Sequence, residues 1–191
     1  MITTLREWCE KLDSMLADGQ DHLCFTCAVQ TEVGYSGRAE DINLDYCTEH
    51  NIPVYNQNRK GGTIVCSPGN VGLGIIYTTE EYREFLFVRL MREFADWLND
   101  RGLSVEYTKN DILVDGYKVA SGCGFNLPPD FKRTYEGAQI SINQDVELIR
   151  NICTKPMVKI PKGLSEYGIT TNEVYTWVDE WFRANLINYG D

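Results

Sequence analysis

Lys118 is the first residue that invites chemistry. It lies in "NDILVDGYKVASGCGF", residues 110–125, two positions after the Asp115-Gly116 pair and among small and apolar side chains. Asp-Gly between two apolar runs is a strong hairpin signal, which predicts strands over 111–114 and 117–125. Side chains alternate along a strand, so Lys118, Ala120 and Gly122 are expected on one face. Such small neighbours would leave room for a ligand whose anionic end meets the ammonium. A solvated lysine at a hairpin tip is the plainer alternative, and composition alone favours it.

A second stretch is "RKGGTIVCSPGN", residues 59–70. Paired glycines at 61 and 62 let main chain approach a ligand and offer N–H groups to its oxygen atoms. Arg59 and Lys60 add positive charge. The pattern is neither a P-loop nor a dinucleotide fingerprint. Cys24-x-x-Cys27 and Cys47-x-x-His50 have zinc-ligand spacing. Residues 24 and 27 fall on a predicted strand, however, where an odd separation points side chains to opposite faces.

The elements that must hold these residues follow from periodicity. Leu5, Trp8, Cys9, Leu12 and Leu16 form a helical stripe over 4–18. Thr4 and Glu7 make a capping box there, and Gly19 is the stop. Strands are expected at 22–30, in "IPVYN", in "TIVCS", in "VGLGIIY", at 103–107 and in "AQISIN". A short helix is expected over 41–50 and another from Asp145. Two longer amphipathic helices are expected over 79–100, capped at Thr78 or Thr79, and over 171–187. Strands adjoin by hairpins more often than by helices. The fold class is therefore α+β, a mixed and largely antiparallel sheet flanked by helices, with residues 1–191 as one domain.

The net charge is −10, which argues against nucleic-acid or anionic-membrane partners because both require basic clusters. No apolar run reaches the roughly 18 residues of a membrane span, and the N-terminus lacks a secretory apolar core. Seven scattered cysteines suit reduced thiols in the cytoplasm.

Taken together, the two stretches resemble the catalytic domain shared by biotin–protein ligases, lipoate–protein ligases and octanoyltransferases. "NDILVDGYKVASG" is similar to the ligase segment that ends in the catalytic lysine. "NIPVYNQNRKGGTIVCSPGN" resembles the lipoate-side motif, and "SPGN" also looks like biotin ligases. "GYSGR" (34–38), "EGAQISINQDVELI" (136–149) and "KIPKG" (159–163) resemble family segments in the same order. The resemblance runs from about residue 22 to 175.

It implies a lipoate– or octanoate–protein ligase. ATP with Mg²⁺ would activate the small-molecule acid as an acyl-adenylate, and the acyl group would pass to a lysine of a lipoyl-type carrier domain. Lys118 would be the catalytic ammonium, with Asp111 holding it charged or holding Mg²⁺. Arg38, Arg59, Gly61, Gly62, Asn70, Ala120 and Gly122 would contact ligand, and "VGLGIIY" would wall an apolar tunnel. Octanoyltransferases instead use a cysteine, which is matched nearly by Cys153. Lys155 and Arg150 would lower its pKa. Family carriers tend to be acidic, and Lys132, Arg133, Lys155, Lys159 and Lys162 are candidates for a docking edge. Two departures stand out: Cys66 and Glu136 occupy positions where lipoate-family members usually carry histidine. The alternatives are ATP-independent octanoyl transfer through Cys153, biotin ligation, a zinc-bearing module and a binding domain without catalysis.

Overall fold

The computed structural model describes residues 2–57, 62–78, 86–108, 110–127 and 133–186. Among these residues five α-helices, α1 (Leu5–Ala17), α2 (Leu44–Glu49), α3 (Leu86–Asn99), α4 (Val146–Ile152) and α5 (Thr171–Leu186), accompany ten strands. The strands are β1 (Ile2–Thr3), β2 (His22–Ala28), β3 (Glu32–Tyr35), β4 (Val54–Asn56), β5 (Ile64–Cys66), β6 (Val71–Thr78), β7 (Val105–Tyr107), β8 (Asp111–Val114), β9 (Tyr117–Leu127) and β10 (Arg133–Ile140). Seven of them form one sheet in the order β1-β2-β6-β10-β9-β8-β7, antiparallel except where β1 runs parallel to β2. A small sheet of order β4-β3-β5 stands apart.

Local chemistry accounts for the element ends. Thr4 and Glu7 form both halves of the capping box on α1. The buried Glu32 carboxylate also accepts from the Leu5 N–H, fastening the first turn of α1 to β3. Asp145 caps α4 by accepting from the Leu148 N–H at 3.0 Å. Asp115 and Gly116 both have positive φ, 51° and 82°, which is the two-residue hairpin turn the pair predicts.

One face of the large sheet is the main core. Val71, Leu73 and Ile75 of β6, Ile112 and Val114 of β8, and Ile140 of β10 meet α3 and α5 there. Leu90, Met91, Phe94 and Leu98 are the inward stripe of α3, and Val174, Val178, Trp181 and Phe182 that of α5. Phe94 has no exposed surface, so Phe94→Ala should cost about 3–5 kcal/mol of stability in urea unfolding. The opposite face carries α1 and the small sheet. Gly74 marks a close approach of α1 to the large sheet, since a Cβ there would sit 3.0 Å from Leu12 and 3.1 Å from Trp8.

Several expectations shift. α2 is shorter than 41–50 because Ala39–Asp41 makes a separate 3₁₀ turn and Asn43 starts the helix by accepting from the Tyr46 N–H. Thr78 ends β6 rather than capping α3. The other proposed cap, Thr79, lies outside the described residues with Tyr82 and Phe85. β10 begins five residues before "AQISIN" because it pairs in register with both β6 and β9 from Arg133 onward. No helix among the described residues is long and apolar enough to cross a membrane.

Candidate active site

Lys118 is positioned by a break in the alternation that the sequence suggests. In the β8–β9 pairing, Leu113 faces Lys118 and Ile112 faces Ala120, so Val119 is an extra residue, a β-bulge. The bulge reverses the alternation. Ala120 pairs with Ile112 and Ile140 and joins the core side, as does Gly122 opposite Ala138. Lys118 therefore shares its face with Asp111, Ser121 and Cys123, not with Ala120 and Gly122. Those two small residues still border the site, from the sheet below it. Beyond the end of β10 the neighbour of Lys118 is the segment 160–162. The Lys118 N–H donates to Ile160 O at 2.9 Å, and the Lys162 N–H donates to Lys118 O at 3.0 Å.

On this face lies a cavity of about 640 Å³. Its lining is apolar where α1 contributes Leu5, Trp8, Cys9 and Leu12. Elsewhere it is polar and charged, with Lys118, Asp111, Lys159, Asn70, Ser141 and Gln144. Gly72 of β6 also borders it.

The charged groups are arranged differently from the expected pairing of Lys118 with Asp111. Lys159 Nζ donates to Asp111 Oδ2 at 2.5 Å and to Thr108 Oγ1 at 3.3 Å. No carboxylate pairs with the Lys118 ammonium among the described residues. Sequence reasoning missed Lys159 as a site residue. Its only signal was the Lys-x-x-Lys-Gly run, and the register bringing that run beside Lys118 depends on Gly163. A Cβ at Gly163 would lie 2.3 Å from Ile142 O, a main-chain atom that cannot move aside cheaply.

Asn70 borders the cavity as well. Its turn is fixed by Asn70 N–H to Ser67 O at 3.0 Å, and Ala28 N–H donates to Asn70 O at 2.9 Å. The residue is 2 % exposed. Oδ1 accepts from the Ile142 and Asn143 N–H groups at 2.8 and 3.2 Å, while the buried Nδ2 has no hydrogen-bond partner among the described residues.

Residues 25–181 match the family model of the lipoyl protein ligase A/B catalytic domain. The chain belongs to that family. It is similar to a lipoate–protein ligase of Streptococcus pyogenes serotype M5 (strain Manfredo), 28% identical over 145 residues, covering 73% of this chain and 41% of that protein. The chain thus spans well under half the length of that relative. Among solved structures it resembles the bi-partite lipoate protein ligase of Thermoplasma acidophilum, described with its E2 lipoyl domain (TM-score 0.77, 15% identity, 97% of this chain, 81% of that one). It also resembles a lipoate-protein ligase A bound with ATP (TM-score 0.75, 17% identity, 97% and 83%). At such identities these two likenesses establish the fold.

The remaining ligase-motif residues divide. Gly62 borders the cavity, whereas Arg59, Lys60 and Gly61 lie outside the described residues. Arg38 is exposed, two residues beyond the cavity-lining Ser36, and is not brought into the site. The two histidine departures separate as well. Cys66 lines the cavity, and burial, then Glu32, then Cys9, push its thiol up to about 12. Glu136 points into the core side, fully buried, and accepts from Tyr77 Oη at 2.8 Å. Cys24 and Cys27 pair with Gly74 and Val71 and so face opposite sides of the sheet, which does not suit a metal knuckle.

Cys153 borders the cavity at the end of α4, but the expected activation is missing. Lys155 is held by Asp41 at 2.6 Å, and Arg150 pairs with Glu147. Burial, then Asp41, raise the thiol pKa. A raised pKa leaves less thiolate at neutral pH. Alkylation of Cys153 by iodoacetamide should therefore climb only above the ordinary thiol range of about 8.5, and Cys153→Ser should leave acyl transfer unchanged. A thioester trapped on Cys153 would overturn this.

Proposed function

We propose that this protein is a lipoate– or octanoate–protein ligase that works through an acyl-adenylate. The observation that carries the reading is one cavity whose lining joins apolar side chains of α1 to the charged and polar groups around Lys118. That lining suits a medium-chain acid with its tail against Trp8 and Leu12 and its carboxylate at Lys118. The relatives supply the substrate classes, since one is named for lipoate and another is solved with ATP.

The carboxylate oxygen attacks the α-phosphorus of ATP. A new carboxyl–phosphoryl bond forms and the bond to the leaving pyrophosphate breaks. Both reactants are anionic, so a fixed ammonium at their junction lowers the repulsion and stabilises the charge that builds in the transition state. Lys118 fills that place. In the second step the neutral amine of a carrier lysine attacks the acyl carbonyl, loses a proton and expels AMP. Asn70 Nδ2 is a buried donor for an oxygen of the bound reactants. Asp111 is the one carboxylate among the described residues bordering the cavity and is the residue that would hold Mg²⁺, which would offset phosphate charge. The carrier would be a lipoyl-type domain, and the free thiols suit the cytoplasm.

The test is the intact mass of an apo carrier domain after incubation with the protein. Lipoate, octanoate or biotin is supplied with and without ATP-Mg²⁺, and octanoyl carrier protein serves as a further donor. A gain with lipoate or octanoate that requires ATP is expected. A gain from octanoyl carrier protein without ATP would move the chemistry to thiol transfer, and no gain from any donor would leave a binding domain.

A further inference from the structure

The lysines expected at a docking edge are held by carboxylates, Lys155 by Asp41, Lys159 by Asp111 and Lys162 by Glu166. Arg133 donates to Gln20 O, and Lys132 lies outside the described residues. The features that bear on the substrate lie inside the cavity.

Strand pairing defines how far the cavity reaches from Lys118. Ser121 and Cys123 share the Lys118 face of β9, and they pair with Gln139 and Gly137 of β10. Tyr135 lies two residues beyond Gly137 and so is on the same face. All five border the cavity. Among the described residues, counting away from Lys118, β9 adds nothing to the lining beyond Cys123 and β6 nothing beyond Leu73. Tyr135 is the last contribution of β10. The near level is fixed by the Ser141 N–H, which donates to Val119 O at 2.8 Å, beside Lys118. From Ser141 to Gly137 is four residues of extended chain, about 13 Å.

The Tyr135 phenol leans back over Gly137, toward Lys118. A Cβ on that glycine would lie 2.6 Å from Tyr135 Oη and 3.1 Å from Cζ, so the missing side chain is what makes room for the ring. From behind, Tyr135 packs against Leu12, Cys24 and Ile76, and Ile76 is its partner on β6. Gly74, the β6 partner of Gly137, is covered by Trp8 and Leu12 of α1. At this level the sheet is bare of side chains, α1 lies over it, and the phenol stands across it.

We propose that Tyr135 is the stop of the acyl pocket and limits the substrate to straight-chain carboxylic acids of about octanoyl length. The proposal rests on the ligase reading above, which sets the carboxylate at Lys118. The stretch from the level of Lys118 to Gly137 is of the order of an extended octanoyl chain. A longer chain meets a ring that is packed from behind and cannot retreat.

The test is calorimetric binding of straight-chain acids from hexanoate to dodecanoate, with acid-dependent exchange of pyrophosphate into ATP measured beside it. Each methylene that the pocket houses strengthens binding about fourfold. In the wild type this gain should stop near octanoate and reverse by dodecanoate. In Tyr135→Ala it should continue, so that dodecanoate binds at least about tenfold more tightly than it does to the wild type. Tyr135→Leu keeps an apolar side chain against Leu12 and Ile76 but lacks the atoms that lie over Gly137. It should move the limit the same way if the alanine variant does not fold. An unchanged limit in folded Tyr135→Leu overturns the stop, and so does wild-type affinity that climbs through dodecanoate. If the wild type binds acids with this limit but catalyses no exchange, the stop stands and the ligase reading falls. If it binds no acid of any length, both fall.

Discussion

Lys118→Ala should lower ATP-dependent acyl transfer by at least about 10²–10³-fold, the loss seen when one preorganised donor is removed from a developing charge. The melting temperature should stay where it is. The hydrogen bonds that tie Lys118 to Ile160 and Lys162 are made by its main chain, so the substitution leaves the bulge and the 160–162 segment in place. Lys118→Arg should rescue little. A planar guanidinium keeps the charge but cannot put a compact ammonium at the same point. The losses should appear in pyrophosphate exchange as well as in carrier acylation, because the charge is needed before the carrier arrives. Full exchange activity in Lys118→Ala would remove this residue from the first step.

Asn70 should give the second large effect, and two substitutions divide its roles. Asn70→Ala takes the acceptor away from the buried Ile142 N–H and from the part-buried Asn143 N–H. An orphaned buried donor costs about 1–3 kcal/mol, so a loss of about 1–3 kcal/mol in urea unfolding is expected, together with loss of activity. Asn70→Asp keeps an oxygen for both N–H groups and removes the Nδ2 donor. It should retain most of the stability and still lose activity. If Asn70→Asp is as active as wild type, Nδ2 does not touch the reactants and Asn70 is a structural clamp.

Most of the frame was legible because its signals are local. The capping box at Thr4 and Glu7, the Asp115-Gly116 turn, and the stripes of α3 and α5 each follow from a few neighbouring residues. Lys118 was singled out by resemblance rather than by composition. What escaped was non-local. The bulge at Val119 has no mark in "YKVASG", yet it alone decides that Ala120 and Gly122 lie on the core side while Lys118 faces the cavity. The partner of Asp111 is Lys159, 48 residues away and invisible to spacing. Cys153 shows the converse error: two cations close in sequence suggested an activated thiol, but Asp41 and Glu147 hold both. Glu136 looked like a departure at the site because its position was read from sequence order, and the strand turns it to the other side.

The most direct test of the account follows an oxygen atom. Lipoate or octanoate labelled with heavy oxygen in its carboxylate is incubated with the protein, ATP-Mg²⁺ and an apo carrier, and the released AMP is weighed. Activation of the acid as an adenylate predicts one labelled oxygen in each AMP released with an acylated carrier. Unlabelled AMP, or an acylated carrier formed without ATP, would contradict it.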